Sequence, residues 1–150
     1  STADWSGAEW LAKFWGGPFA IKGLLAADDA KRARDSGATA IMISNHGGRQ
    51  LDGSSAPVDC VRPMRDAIGR DLELIVDGGV RRGAHIVKAL ALGADAVSFG
   101  RPTLYSLAAG GEKGVDRMIT LMREELERDL ALVGCAKVRD LNDSYIRVRA

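Results

Sequence analysis

His46 and Arg49 stand three residues apart with two glycines between them, in the segment SNHGGRQLDG (44–53). A histidine accepts a proton near neutral pH. An arginine clamps a carboxylate through two parallel hydrogen bonds. Gly47 and Gly48 leave room for a planar group close to the backbone. The plainer role for a lone histidine is a helix cap or a core hydrogen bond. The preceding apolar run and the arginine beyond favour a base beside an anion clamp. Two more clusters combine glycine with arginine: Asp77-Gly78-Gly79-Val80-Arg81-Arg82-Gly83 and Gly100-Arg101-Pro102. Small residues there expose backbone N–H groups to an anion, and each cluster leads into a helical segment whose N-terminus favours negative charge. Arg81 and Arg101 add permanent forked charge. Either loop alone reads better as a tight turn with a solvated arginine; two in succession point to a phosphate site. Lys22 interrupts an apolar run, where a lysine needs an outlet to water or a negative partner. It either snorkels to the rim or faces an anionic or electron-rich ligand.

These groups need elements to position them. Four apolar runs, FAIKGL (19–24), AIMISN (40–45), ELIVDG (73–78) and DAVSFG (95–100), have strand length and the continuous apolarity of strands buried on both faces. Helical segments separate them. The first carries Ala30, Ala33 and Ala38 and stops at Gly37; its Lys31, Arg32 and Arg34 read as a solvated face. The second places Val58, Val61, Met64 and Ile68 at helical spacing, and the third Ile86, Val87, Leu90 and Ala91, stopping at Gly93. The chain opens with a helix whose Ser6 and Glu9 fit a capping box. It closes with a helix over 112–133, striped by Met118, Leu121, Met122, Leu126 and Leu130. Alternating helix and strand predict an α/β fold with a parallel sheet. Four strands make either an open doubly wound sheet or half of a (β/α)8 barrel, since a whole barrel needs eight strands and about 250 residues. In both, ligands collect at the C-terminal ends of the strands, where all three polar clusters fall.

A net charge of +1 over 150 residues gives no reason to expect a nucleic-acid partner. Cys60 and Cys135 lack metal-like spacing and read as small buried hydrophobes, so neither a disulfide framework nor a metal site is expected. No apolar run approaches the ~18 residues of a membrane span. His85 reads as packing or surface. Trp5, Trp10 and Trp15 recur at intervals of five and read as core or partner packing.

IKG (21–23), SNHGGRQLDG, and then DGGVRRG, KALALGADAV and GRP in that order closely resemble the FMN-dependent enzymes that oxidise 2-hydroxy acids. That family includes glycolate oxidase, lactate and mandelate dehydrogenases and the flavocytochrome lactate dehydrogenases. The resemblance runs from about Trp10 to the C-terminal region. It implies a TIM (β/α)8 barrel of which this chain is the C-terminal half, strands 5–8, with 1–150 forming part of a single FMN-binding domain. By the same resemblance Lys22 lies near the flavin edge and favours the reduced ring, and Ser44 contributes to the flavin site. Asp77 binds the ribityl chain, and Gly78, Gly79, Val80, Arg81, Gly100 and Arg101 hold the phosphate region. His46 is the catalytic base and Arg49 pairs with the substrate carboxylate, so that an (S)-2-hydroxy acid of lactate, glycolate or mandelate type becomes a 2-oxo acid. Both hydride transfer and a carbanion route satisfy that pairing. The resemblance further implies a homo-oligomer, a tetramer, placed in the cytoplasm or peripherally on the inner face of a membrane.

The first residues, STADW, lack an initiator Met and predict a C-terminal piece of a cleaved or longer enzyme. By the resemblance its partner is then the N-terminal half of the same barrel, which in the family supplies an aspartate that pairs with the catalytic histidine. Two other readings compete. FMN-barrel isomerases of isoprenoid diphosphates share the phosphate loops, but a loop built for a carboxylate and a proton speaks against them. A non-catalytic half-barrel assembly module is the third.

Overall fold

A computed structural model of the protein describes residues 4–147, so Ser1 to Ala3, at the predicted cleavage point, lie outside the described residues. Nine elements alternate: α1 (Trp5–Trp15), β1 (Ala20–Leu24), α2 (Ala27–Asp35), β2 (Ala40–Ser44), α3 (Pro57–Ile68), β3 (Glu73–Asp77), α4 (Gly83–Ala91), β4 (Ala96–Ser98) and α5 (Arg101–Leu132). The four strands pair in parallel in the order β1-β2-β3-β4. A doubly wound sheet reverses its strand order at a switch point; none occurs among the described strands. With right-handed crossovers, unreversed order puts every connecting helix on one side.

That side holds the core. Ile41, Ile43, Leu74 and Val76 are fully buried against Ala30, Ala33, Val61, Met64 and Ile86 of the helices. Burying each large side chain contributes roughly 1.5–3 kcal/mol. The alternate residues form rows across the opposite face. Met42, Ile75 and Ala96 share one row; Ser44, Asp77 and Ser98 share the next, at the C-terminal edge. Met42 and Ile75 remain partly exposed.

Several boundaries differ from expectation. Strands are shorter than the apolar runs, β4 most of all, with one strand neighbour to define it. The α1 cap is Asp4, not Ser6: its Oδ1 accepts the Gly7 N–H at 2.8 Å and the Ser6 hydroxyl at 2.8 Å. Glu9 instead pairs with Lys13 one turn on, at 2.7 Å. The final helix starts at Arg101, eleven residues before the expected 112. Gly100 and Pro102 open it, and Gly110 and Gly111 interrupt it with non-helical backbone, leaving the expected segment as its second part. Only Met118 of the proposed stripe is buried, and Leu121 is exposed. Trp5 packs against the core, whereas Trp10 and Trp15 are exposed, Trp10 stacking on Phe14 with ring centroids 5.2 Å apart. Cys60 and Cys135 are buried free thiols. No helix among the described residues is long and apolar enough to cross a membrane.

Candidate functional site

The C-terminal ends of the strands surround a cleft of about 470 Å³, within the range of roughly 300–1,000 Å³ of small-molecule sites. Ten of the eleven singled-out residues line it: Lys22, His46, Arg49, Asp77, Gly78, Gly79, Val80, Arg81, Gly100 and Arg101. Ser44 does not. Its side chain is buried behind Asp77, donating to Asp77 Oδ2 at 2.7 Å and accepting the His46 backbone N–H at 3.1 Å.

His46 has φ of +54°, the one non-glycine residue in the left-handed region among those described. Histidine tolerates that region better than most residues, but the conformation still costs on the order of 1 kcal/mol and needs anchoring. Ser44 holds its N–H, and Asn45 holds the next turn: Asn45 Oδ1 accepts the Gly47 N–H at 3.1 Å and its carbonyl the Gly48 N–H at 2.9 Å. The result is an exposed imidazole on a fixed backbone.

Gly23 makes room for it. The β1–β2 register slips between Lys22 and Leu24, a bulge at Gly23 of the kind that re-aims side chains beside functional sites. Gly23 has φ of +105°, and a Cβ there would lie 2.9 Å from His46 Nε2. A side chain at position 23 therefore cannot be added without displacing the imidazole.

Lys22 has a negative partner: its Nζ lies 3.1 Å from Asp77 Oδ2 while half its side chain stays exposed to the cleft. Burial pushes the Asp77 carboxyl up, but hydrogen bonds from Ser44, Lys22 and Ser98 outweigh it and hold the group below the usual range. Asp77 thus stays ionised at neutral pH and neutralises Lys22. Among the described residues, no ion pair engages Arg49, Arg81 or Arg101. Three uncompensated guanidinium groups leave the cleft with an excess of positive charge suited to an anionic ligand. Arg101 reaches across to the histidine turn, where a Gly47 Cβ would lie 3.5 Å from its Nη2.

The turn after β3 is held by a residue read earlier as ordinary: His85 Nδ1 accepts the Arg81 backbone N–H at 3.1 Å. Gly23, Asn45, His85 and Ser98 were not singled out by the sequence. A glycine inside an apolar strand was the available signal for Gly23, and an Asn before two glycines was the signal for the Asn45 turn; Ser98 acts on Asp77 from another strand, a contact no local pattern announces.

The profile of a family described as FMN-dependent dehydrogenase matches residues 1–148. The chain belongs to that family. Among curated relatives of this FMN-dependent dehydrogenase chain, L-lactate oxidase of Nostoc sp. is 46% identical over 144 residues, covering 96% of this chain and 40% of the relative. Pre-mycofactocin synthase of Mycobacterium tuberculosis is 45% identical over 96% of this chain and 36% of its own. A solved (S)-mandelate dehydrogenase, described as a monotopic membrane protein, superposes with TM-score 0.94 at 43% identity, covering 98% of this chain and 39% of that one. A mandelate oxidase variant solved with (S)-mandelic acid gives 0.90 at 42%, covering 95% and 43%. The chain thus spans about two fifths of the length of these relatives. A lactate oxidase and a pre-mycofactocin synthase differ by one percentage point in identity to it, so overall similarity selects no substrate; the groups in the cleft must do so.

The residues present fit the family's cofactor. A single terminal phosphate needs uncompensated cations and backbone N–H groups, which Arg81, Arg101 and the Gly78–Gly79 turn offer. A reducible ring that gains negative charge is suited by a cation, which Lys22 offers from the same cleft.

Proposed function

We propose that the chain is the C-terminal half, strands 5–8, of a single FMN-binding TIM (β/α)8 barrel domain, and that the whole protein oxidises a small (S)-2-hydroxy acid to the 2-oxo acid. One observation carries the reading: a base on anchored backbone and an unpaired arginine share a cleft with a lysine–aspartate pair and two further unpaired arginines. A carboxylate, a proton and a phosphate each have a complementary group there.

Each residue has a task. Arg49 holds the substrate carboxylate and so orients the α-carbon. His46 accepts a proton from the substrate as the C–H and O–H bonds are broken. FMN, when bound, would supply the acceptor for the two electrons and the remaining hydrogen. Lys22, kept in place by Asp77, stabilises negative charge at the ring edge. Ser44 acts from behind, tying Asp77 to the backbone of His46. Arg81 and Arg101, with the Gly78–Val80 and Gly100 backbone, hold the phosphate. The N-terminal half of the barrel is the complementary partner, and the homo-oligomer and a cytoplasmic or membrane-peripheral location belong to the same proposal.

The test is anaerobic addition of lactate, glycolate and mandelate to the full-length holoprotein, watching the flavin bands. Bleaching by at least one of the three is expected; intact bands with all three would overturn the reading. Arg49→Met, with its cation gone and an unbranched apolar stem kept, is expected to raise KM by on the order of 30-fold or more and to leave FMN affinity unchanged. Titration with FMN checks the second half, and a collapse of flavin binding would remove Arg49 from the substrate's side.

A further inference from the structure

Outside the cleft, α5 touches the start of α4 in a way the function above does not use. Arg82 Nε donates to Glu125 Oε1 and Oε2 at 2.8 and 3.0 Å, and the Gly83 N–H donates to Glu125 Oε2 at 2.8 Å. Gly83 is the first residue of α4, and Arg82, at the cap position, makes no side-chain cap of its own. A carboxylate from a distant helix therefore sits on the positive end of the α4 dipole. The approach is close: a Cβ at Gly83 would fall 2.5 Å from Leu126 N and 2.6 Å from the carbonyl carbon of Glu125. The carboxylate is only 20% exposed.

This alters the phosphate site expected from the sequence, in which both glycine-rich loops present a helix N-terminus to an anion. At α4 that place is taken by the chain's own anion, and Arg82 is turned away with it. The anion-binding groups left are the turn before α4 and the start of α5 at Gly100–Arg101. The turn is pinned at three points: Asp77 at its β3 end, His85 on the Arg81 N–H, and Glu125 at its α4 end.

We infer that Glu125 is a positioning residue for cofactor binding: by occupying the N-terminus of α4 it fixes the 78–82 turn and confines the phosphate to the space between that turn and the start of α5. The inference rests on the proposed function, which places the FMN phosphate in this cleft.

Riboflavin lacks the phosphate, so the ratio of riboflavin to FMN dissociation constants isolates the contribution at issue. Both are measured by flavin fluorescence on the full-length apoprotein. Glu125→Ala is expected to lower that ratio by about tenfold, the scale of one charge-assisted hydrogen bond, with riboflavin affinity little changed. Glu125→Gln keeps an acceptor for the Gly83 N–H and is expected to recover most of the ratio. An unchanged ratio in Glu125→Ala overturns the inference, as does equal weakening of both flavins, the mark of a merely structural contact. Tighter FMN binding also overturns it, by making Glu125 a competitor of the phosphate. Should the alanine variant fail to fold, Glu125→Asp, with its carboxylate withdrawn by one methylene, is expected to lower the ratio, and no change sinks the idea. A parent ratio near one overturns the phosphate reading itself, whereas a large parent ratio indifferent to Glu125 overturns this inference alone.

Discussion

Full-length enzyme carrying His46→Asn is expected to keep its flavin colour and lose on the order of 10²–10⁴-fold in the rate of flavin bleaching, the range a positioned general base supplies. Asparagine suits the test because it, too, tolerates the left-handed backbone that His46 adopts at φ +54°. The Ser44 hydroxyl can still accept the N–H of residue 46, so the Asp77–Lys22 pair keeps its support. The variant thus removes the imidazole and leaves the scaffold. Alanine would add backbone strain and blur the two effects. Stopped-flow bleaching with excess substrate measures the step, and a rate within tenfold of the parent would remove His46 as the base.

The largest stability effect is expected far from the cleft. Arg65 is 8% exposed and gathers the loops beneath the sheet. It donates to the carbonyls of Gly93, Gly69 and Leu72 and pairs with Asp95, which in turn accepts the Leu74 N–H at 2.8 Å. Arg65→Met leaves three carbonyls without their donor and strips Asp95 of its buried partner. Leaving a buried acceptor without its donor costs roughly 1–3 kcal/mol, so with three carbonyls affected the loss is expected to reach about 3 kcal/mol. Arg70 meets the same Asp95 at 2.9 Å but is 74% exposed, and Arg70→Met is expected to cost under about 1 kcal/mol. Denaturant titration of both variants gives the comparison; equal losses would contradict the role assigned to burial.

Particular residues explain what could be read in advance. Strand positions were legible because Ile41, Ile43, Leu74 and Val76 belong to runs apolar throughout, the signature of strands covered by helices. The cap of α1 was misread because Asp4 and Ser6 are both good caps two positions apart, and only the observed hydrogen bonds choose. The closing helix was given too late a start, although Gly100-Arg101-Pro102 was expected to lead into a helix and Pro102 stands where helices begin; Gly110 and Gly111 interrupt α5 without ending it. At the site, loops at strand ends were legible as clusters of glycine with charge. The bulge at Gly23 and its fit against His46 were not, since they exist only once two strands meet. Glu125, forty-two residues from Gly83, leaves no trace in any local window.

The uninterrupted order of the sheet bears on how the chain acquires its shape. Among the described residues each strand pairs with its neighbour in sequence, Ala20 with Ala40, Ala40 with Glu73, Ile75 with Ala96. Those separations differ by less than a doubling, so loop-closure entropy distinguishes the three pairings by under about 0.6 kcal/mol. Of these three pairings none is a bottleneck of length, and none waits for a segment outside the described strands. The sheet can grow by stepwise addition of one strand and its covering helix, in either direction along the chain.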